Sequence, residues 1–212
     1  MFVTDLLPIK DVRNFRRKIE AQAELKYGWK RPSRDYANEF LLFSRHEEND
    51  NPKALRAAIL NHVTPQDIVF TTINQAHHFK TSKTYGYDIS PDNLKFHYKK
   101  NPSEKLLWCD VLDESTFKSI LNLICPTIVY MSNIPEYANE ADYLMQMDVL
   151  LSIPSISTLM WSQYNPLTKP NELSLRLATI CSDQNHRVYR YEDNSSKRSI
   201  NRPIFVSTLN GL

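Results

Sequence analysis

TIVYMSNIPEY, residues Thr127 to Tyr137, is the stretch on which the reading of this chain turns. It opens with Thr127, Ile128, Val129 and Tyr130, residues of the kind that fill a strand buried on both faces, and then breaks into Ser132, Asn133, Ile134, Pro135 and Glu136. In an open α/β sheet, ligands gather where a buried strand gives way to a loop at its carboxyl end. This polar loop is therefore the first place to look for function.

Working outward, strands and helices alternate. Asp67 to Ile73, DIVFTTI, is short and β-rich, and Tyr85 to Ile89, YGYDI, is a second compact apolar piece carrying an acid near its end. Pro91 to Lys100 reads as a helix led by Ser90 as N-cap, Lys105 to Val111 as a strand, and Glu114 to Ile124 as a helix with Phe117, Ile120, Leu121 and Ile124 at apolar positions. After the focal strand, Thr127 to Met131, come a helix from Asn139 to Ile153, a strand from Ser157 to Ser162 and a helix from Glu172 to Ser182. The tail holds two alternating runs, Arg187 to Glu192 and Pro203 to Thr208, with only the charged turn DNSSKRSIN between them. Strand alternating with helix predicts an α/β fold with a mainly parallel sheet and right-handed crossovers. The closing pair has no helix between its runs, which predicts an antiparallel hairpin at one edge and so a mixed sheet. Upstream, the pattern is helical: Ile9 to Lys26 stopped by Gly28, Asp35 to Arg45, and a third helix opened by Pro52, whose missing amide would be unpaired in a first turn anyway. The chain thus divides into an N-terminal helical extension, residues 1–65, packed on an α/β domain, residues 66–212.

Composition narrows the function. With 212 residues, 42% hydrophobic and 24% charged, the chain can bury a sizeable core. Its formal charge of +2 is too small to imply a nucleic-acid partner by itself. Only the basic face Arg13, Arg16, Arg17, Lys18 and the segment KRPSR at 30–34 keep a nucleic-acid-binding module open as an alternative. Cys109, Cys125 and Cys181 are widely spaced and odd in number, which fits neither a disulfide framework nor a zinc pattern, and each is expected to be a small core residue. The N-terminus MFVTDLLPIKDVRNFRRK has no continuous apolar h-region and no stretch approaches a membrane span, so the expected location is cytoplasmic. Three glycines in 212 residues fall far below the usual share of about 7%. Sites that cradle phosphate on bare backbone need clustered glycine, so P-loop and dinucleotide fingerprints are excluded.

Asp88, the pair Asp110 and Asp113, and Asn133 each fall just past a strand end, and in a parallel sheet those ends share one rim. An acid at the end of the second strand is placed to accept hydrogen bonds from a ribose diol, and an acid or amide at the third can bind an adenine amino group. In this order, from about Gln66 to Thr208, the chain resembles the class I S-adenosylmethionine-dependent transferases, whose Rossmann-like sheet also ends in an antiparallel hairpin. SNIPEY, and the spacing from DIVFTTINQAHH through YGYDISPDNLKFHYKK, look most like the branch that moves the cofactor's aminocarboxypropyl group, the betaine-lipid-synthase-like enzymes. The resemblance implies S-adenosylmethionine as cofactor, with its ribose on Asp88, its adenine near Asp110, and Thr72 and Asn74 beside its amino acid moiety. It places the reacting end near Ser132, Asn133, Glu136 and Tyr137, with Glu136 or Tyr137 as general base toward a small or lipid-like acceptor.

One segment departs from that family. Its first strand ends in a small-residue turn that lets backbone approach the cofactor, whereas here the turn reads TTINQAHHF. Side chains here either replace the backbone contacts or fill the pocket, and the second case leaves a catalytically inactive binding or scaffold protein on the same fold. His77 and His78 are adjacent, which puts them on opposite sides of an extended segment. With His62, His97 and His186 distant and no H-x-x-x-H pair, no metal site is expected. Ser162 lacks the glycines of a nucleophile elbow, and Trp161 is expected to pack in the core.

Overall fold

A computed structural model describes residues 52–81, 83–88, 94, 97, 105–109, 111, 113–132, 140–162, 172–192 and 203–209. Its strands are β1 (Ile68–Thr72), β2 (Lys83–Asp88), β3 (Lys105–Trp108), β4 (Ile128–Ser132), β5 (Thr158–Ser162), β6 (His186–Tyr191) and β7 (Ile204–Leu209). Its helices are α1 (Pro52–His62), α2 (Glu114–Ile124), α3 (Glu140–Leu151) and α4 (Glu172–Asp183), with a 3-10 helix at Ile73–His78. The predicted helices at 9–26 and 35–45, and most of that at 91–100, lie outside the described residues.

The strands form one seven-stranded sheet in the order β3-β2-β1-β4-β5-β7-β6. Neighbours from β3 across to β5 are parallel, and β7 runs antiparallel to both β5 and β6. The closing pair is therefore antiparallel as expected, with β6 outermost and β7 drawn inside. The reason is burial: Ile204, Phe205, Val206 and Ser207 of β7 are all buried, whereas β6 leaves Arg187 and Arg190 in solvent. A continuous apolar run belongs between two strands, and an alternating charged one suits an edge.

Side-chain alternation divides the core between the two faces of the sheet. One face carries Phe70, Val129, Leu159 and Phe205 against α2, α3 and α4. The other carries Val69, Tyr130, Met160 and Val206 against Ala54, Leu55 and Ala58 of α1, with Phe79. On α2 the spacing of Phe117, Ile120 and Leu121 turns all three inward, and burying such side chains contributes about 1.5–3 kcal/mol each. The same helix is fixed at both ends. Asp113 is its N-cap, its Oδ1 accepting from the Thr116 amide at 3.0 Å and the Ser115 hydroxyl at 3.0 Å. Cys125 closes it in the left-handed conformation, φ 49, with its amide donating to the Leu121 carbonyl at 2.8 Å. Cys109 and Cys181 are buried as expected; Cys125 is exposed, a correction that follows from its place at this helix end.

The amino-terminal edge of the sheet is tied by a polar knot. Asp67 Oδ2 accepts from the Thr64 amide at 2.7 Å and hydroxyl at 2.8 Å, and Oδ1 accepts from the Thr127 hydroxyl at 2.7 Å. Thr127 Oγ1 in turn accepts from the Ile68 amide at 3.1 Å, and the Thr127 amide donates to the Ile68 carbonyl at 2.9 Å. These bonds seat β1 beside β4 in the register Val69 to Ile128 and hold the opposite, carboxyl ends level.

Candidate functional site

Parallel strands end on one rim, and the registers define it. Thr72 at the end of β1 lies opposite Tyr87, Asp88 at the end of β2 lies opposite Trp108, and Ser132 at the end of β4 lies opposite Ser162. Three of the predicted site residues, Thr72, Asp88 and Ser132, are thereby brought to the same edge. Asp88 is half-buried, and its carbonyl accepts from the Cys109 amide at 3.2 Å, continuing the pairing one residue past β3. Asp110, Asn133, Glu136 and Tyr137 lie outside the described residues, as does the basic face of the first predicted helix.

The link from β1 to β2 differs from expectation. The first strand stops at Thr72, and Ile73 already begins the 3-10 helix, so residues 73–82 must reverse the chain. Parallel neighbours are ordinarily joined by a dozen or more residues with an α-helix. The short link lies directly on β2. Ile73, Gln75 and Ala76 are buried, and a Cβ on Gly86 would stand 3.2 Å from Ile73 Cα and 3.4 Å from Ala76 Cβ. Only glycine lets the link pack this closely. Phe79 then closes the turn, its amide donating to the Ala76 carbonyl at 3.1 Å and its ring resting 5.8 Å from that of Tyr130.

Polar side chains decorate this link. Thr72 and Asn74 are half-buried, and Asn74 Oδ1 accepts from His97 Nε2 at 2.9 Å. His77 and His78 do not lie on opposite sides of an extended strand: the 3-10 turn brings their rings 3.9 Å apart, tilted by 40°. Burial first, then the neighbouring His77 and Arg56, lowers the His78 imidazole to about 4. Among the described residues no group of three or more His, Cys, Asp and Glu is placed to hold a metal ion.

Other candidates resolve into structural roles. Asp113 caps α2, Ser162 is buried with its hydroxyl 3.2 Å from Tyr130 OH, and Trp161 is buried and stacked on Phe205 at 5.6 Å. His97, distant in sequence from the other histidines, reaches Asn74. No local signal reveals it, because its bond to Asn74 joins two separate crossover segments.

No protein-family model matches the sequence, and no curated protein matches it. Solved structures do match in shape. The methyltransferase domain of bacterial CtHen1 superposes with TM-score 0.57 at 10% identity, covering 76% of this chain and 98% of that one. Magnesium protoporphyrin IX methyltransferase (ChlM) from Synechocystis PCC 6803, solved with bound SAM, superposes with TM-score 0.54 at 11% identity, covering 97% of this chain and 100% of that one. The Dnmt2 methyltransferase of S. pombe gives TM-score 0.52 at 10% identity, covering 69% of this chain and 50% of that one. The chain has the Rossmann-like methyltransferase fold. Among the described residues no helix is long and apolar enough to cross a membrane.

Proposed function

We propose that this chain is an S-adenosylmethionine-dependent transferase acting on a small or lipid-like acceptor, moving either the methyl or the aminocarboxypropyl group. The observation that carries the reading is Asp88: a half-buried carboxylate at the carboxyl end of β2, beside the end of β1, in a methyltransferase-type sheet. A carboxylate there can accept two hydrogen bonds from a ribose diol. At the amino acid end the link holds no glycine, and Ile73 and Ala76 are pressed onto β2. The donors there are side chains, the Thr72 hydroxyl and the Asn74 amide. The residues present thus suit the ribose of the cofactor through Asp88, and its amino acid end through these side chains.

When bound, S-adenosylmethionine would supply a carbon activated by its sulfonium. In this reading Asp110 takes the adenine amino group, Ser132 and Asn133 border the reacting end, and Glu136 or Tyr137 accepts the acceptor's proton. Calorimetric titration with S-adenosylmethionine and S-adenosylhomocysteine tests it. Both should bind, and Asp88→Ala should weaken both about tenfold or more, the worth of hydrogen bonds to a charged group. Absence of heat with either compound at millimolar concentration, in a folded wild type, removes the reading.

The packed, glycine-free link favours a second reading, a non-catalytic binding protein on the same scaffold. In that case neither compound binds, and Asp88→Ala leaves partner binding intact.

A further inference from the structure

We infer that the α1 side of the molecule docks on an anionic lipid bilayer, with Lys53, Arg56 and Lys80 against the headgroups and Leu60 inserted at their boundary with the acyl chains. This surface is separate from the rim on which Asp88 stands, and the inference stands or falls independently of the cofactor reading.

Charge divides the molecule across its sheet. Helix α1 carries Lys53 and Arg56 and no acid, and the link after β1 adds His77, His78 and Lys80, again with no acid. Helices α2, α3 and α4, on the other face, carry six acidic residues against two basic ones, a net −4. A chain whose formal charge is only +2 is thus polarised, and its field turns α1 toward a negatively charged surface. The cations of α1 and of the link lie together. Phe79 packs in the same core cluster as Ala54, Leu55 and Ala58, and Arg56 is near enough to His78 to help lower its imidazole. Arg56, His77 and Lys80 are exposed, and among the described residues they make no ion pair.

Leu60 decides between a bilayer and a soluble polyanion. Spacings of three and four residues set Lys53, Arg56 and Leu60 on one face of α1, opposite the buried Ala54, Leu55 and Ala58. Leu60 is 77% exposed, more than any other large hydrophobic side chain among the described residues. A single exposed leucine is ordinary. One that shares an acid-free helix face with cations has the pattern of a helix lying in a membrane interface, where the apolar group enters the lipid and the bases meet anionic headgroups. A nucleic-acid backbone would use the same cations and leave Leu60 in water.

The experiment is co-sedimentation of the full chain with vesicles of phosphatidylcholine alone and with about 30% phosphatidylserine, in about 0.1 M salt. The wild type should sediment with the anionic vesicles and not with the neutral ones. Arg56→Gln and Lys80→Gln should each lower the partition coefficient about fivefold, the worth of one charge beside such a surface. Leu60→Ser should lower it about tenfold, the lower end of what burying a leucine contributes. Lys118→Gln, which removes the same charge from the exposed side of α2, should leave it unchanged. All four side chains are exposed, so each variant should keep the circular dichroism of the wild type. Failure of the wild type to sediment with anionic vesicles overturns the inference, as does an equal loss in Lys118→Gln, which would reduce the effect to net charge. Undiminished vesicle binding by Leu60→Ser overturns it too, and a short DNA duplex bound in fluorescence anisotropy would then assign the surface to nucleic acid.

Discussion

Replacing Gly86 by alanine tests whether the link after β1 is as tightly seated as its geometry says. The new Cβ would lie 3.2 Å from Ile73 Cα, a few tenths of an ångström inside ordinary carbon contact, and 3.4 Å from Ala76 Cβ. The nearer atom is backbone, and Ile73 is 1% exposed, so it has no open side toward which to swing. Overpacking of this kind costs about 1–3 kcal/mol, and the lost freedom of the unfolded chain on Gly→Ala returns about 0.4–1 kcal/mol. The net expectation is a loss of about 1 kcal/mol. Urea unfolding followed by circular dichroism should show it as a midpoint lower by about 0.5 M at unchanged slope. Gly86→Val, with two further methyl groups against the same backbone, should cost about 3 kcal/mol or more. A Gly86→Ala midpoint at or above wild type would refute the reasoning, because the link would then yield freely.

The knot at the amino-terminal edge should behave as a unit. Thr127→Val leaves the Ile68 amide without the acceptor it has at 3.1 Å and should cost about 1–3 kcal/mol; paired with Asp67→Ala it should show a coupling of about 1 kcal/mol, and a double-mutant cycle closing within about 0.3 kcal/mol would dissolve the unit. Acid should weaken the fold through His78. Its imidazole is lowered from 6.5 to about 4, so the unfolded chain takes up the proton first, and the stability present above 6.5 is lost as pH falls toward about 4. Solvent screening of this half-exposed ring keeps the effect on the order of 1 kcal/mol. His78→Gln should flatten the dependence of the urea midpoint on pH across that window without flattening it fully, since His62 and His186 are lowered by burial in the same direction. An unchanged slope in the variant would remove His78 from the account.

How far the sequence could be read depended on the range of the interaction involved. The bounds of α2 were legible at both ends, Glu114 and Ile124, because an acid N-cap and apolar positions 117, 120 and 121 act within one or two turns. The strands IVFTT, IVYMS and TLMWS were legible as β-branched and aromatic runs, although β3 ends at Trp108 rather than Val111. Parallel order and the antiparallel closing pair followed from whether a helix lay between successive strands.

Sequence by itself thus determined the α/β class, the strand-helix alternation and the rim on which Thr72, Asp88 and Ser132 meet, since periodicity and capping are written in near neighbours. Tertiary structure alone decided that β7 lies inside β6, that the link after β1 coils into a 3-10 helix over Gly86, and that His97 reaches Asn74. Each of these depends on which surfaces are buried against one another once the sheet has closed, a competition among distant segments that no local pattern encodes.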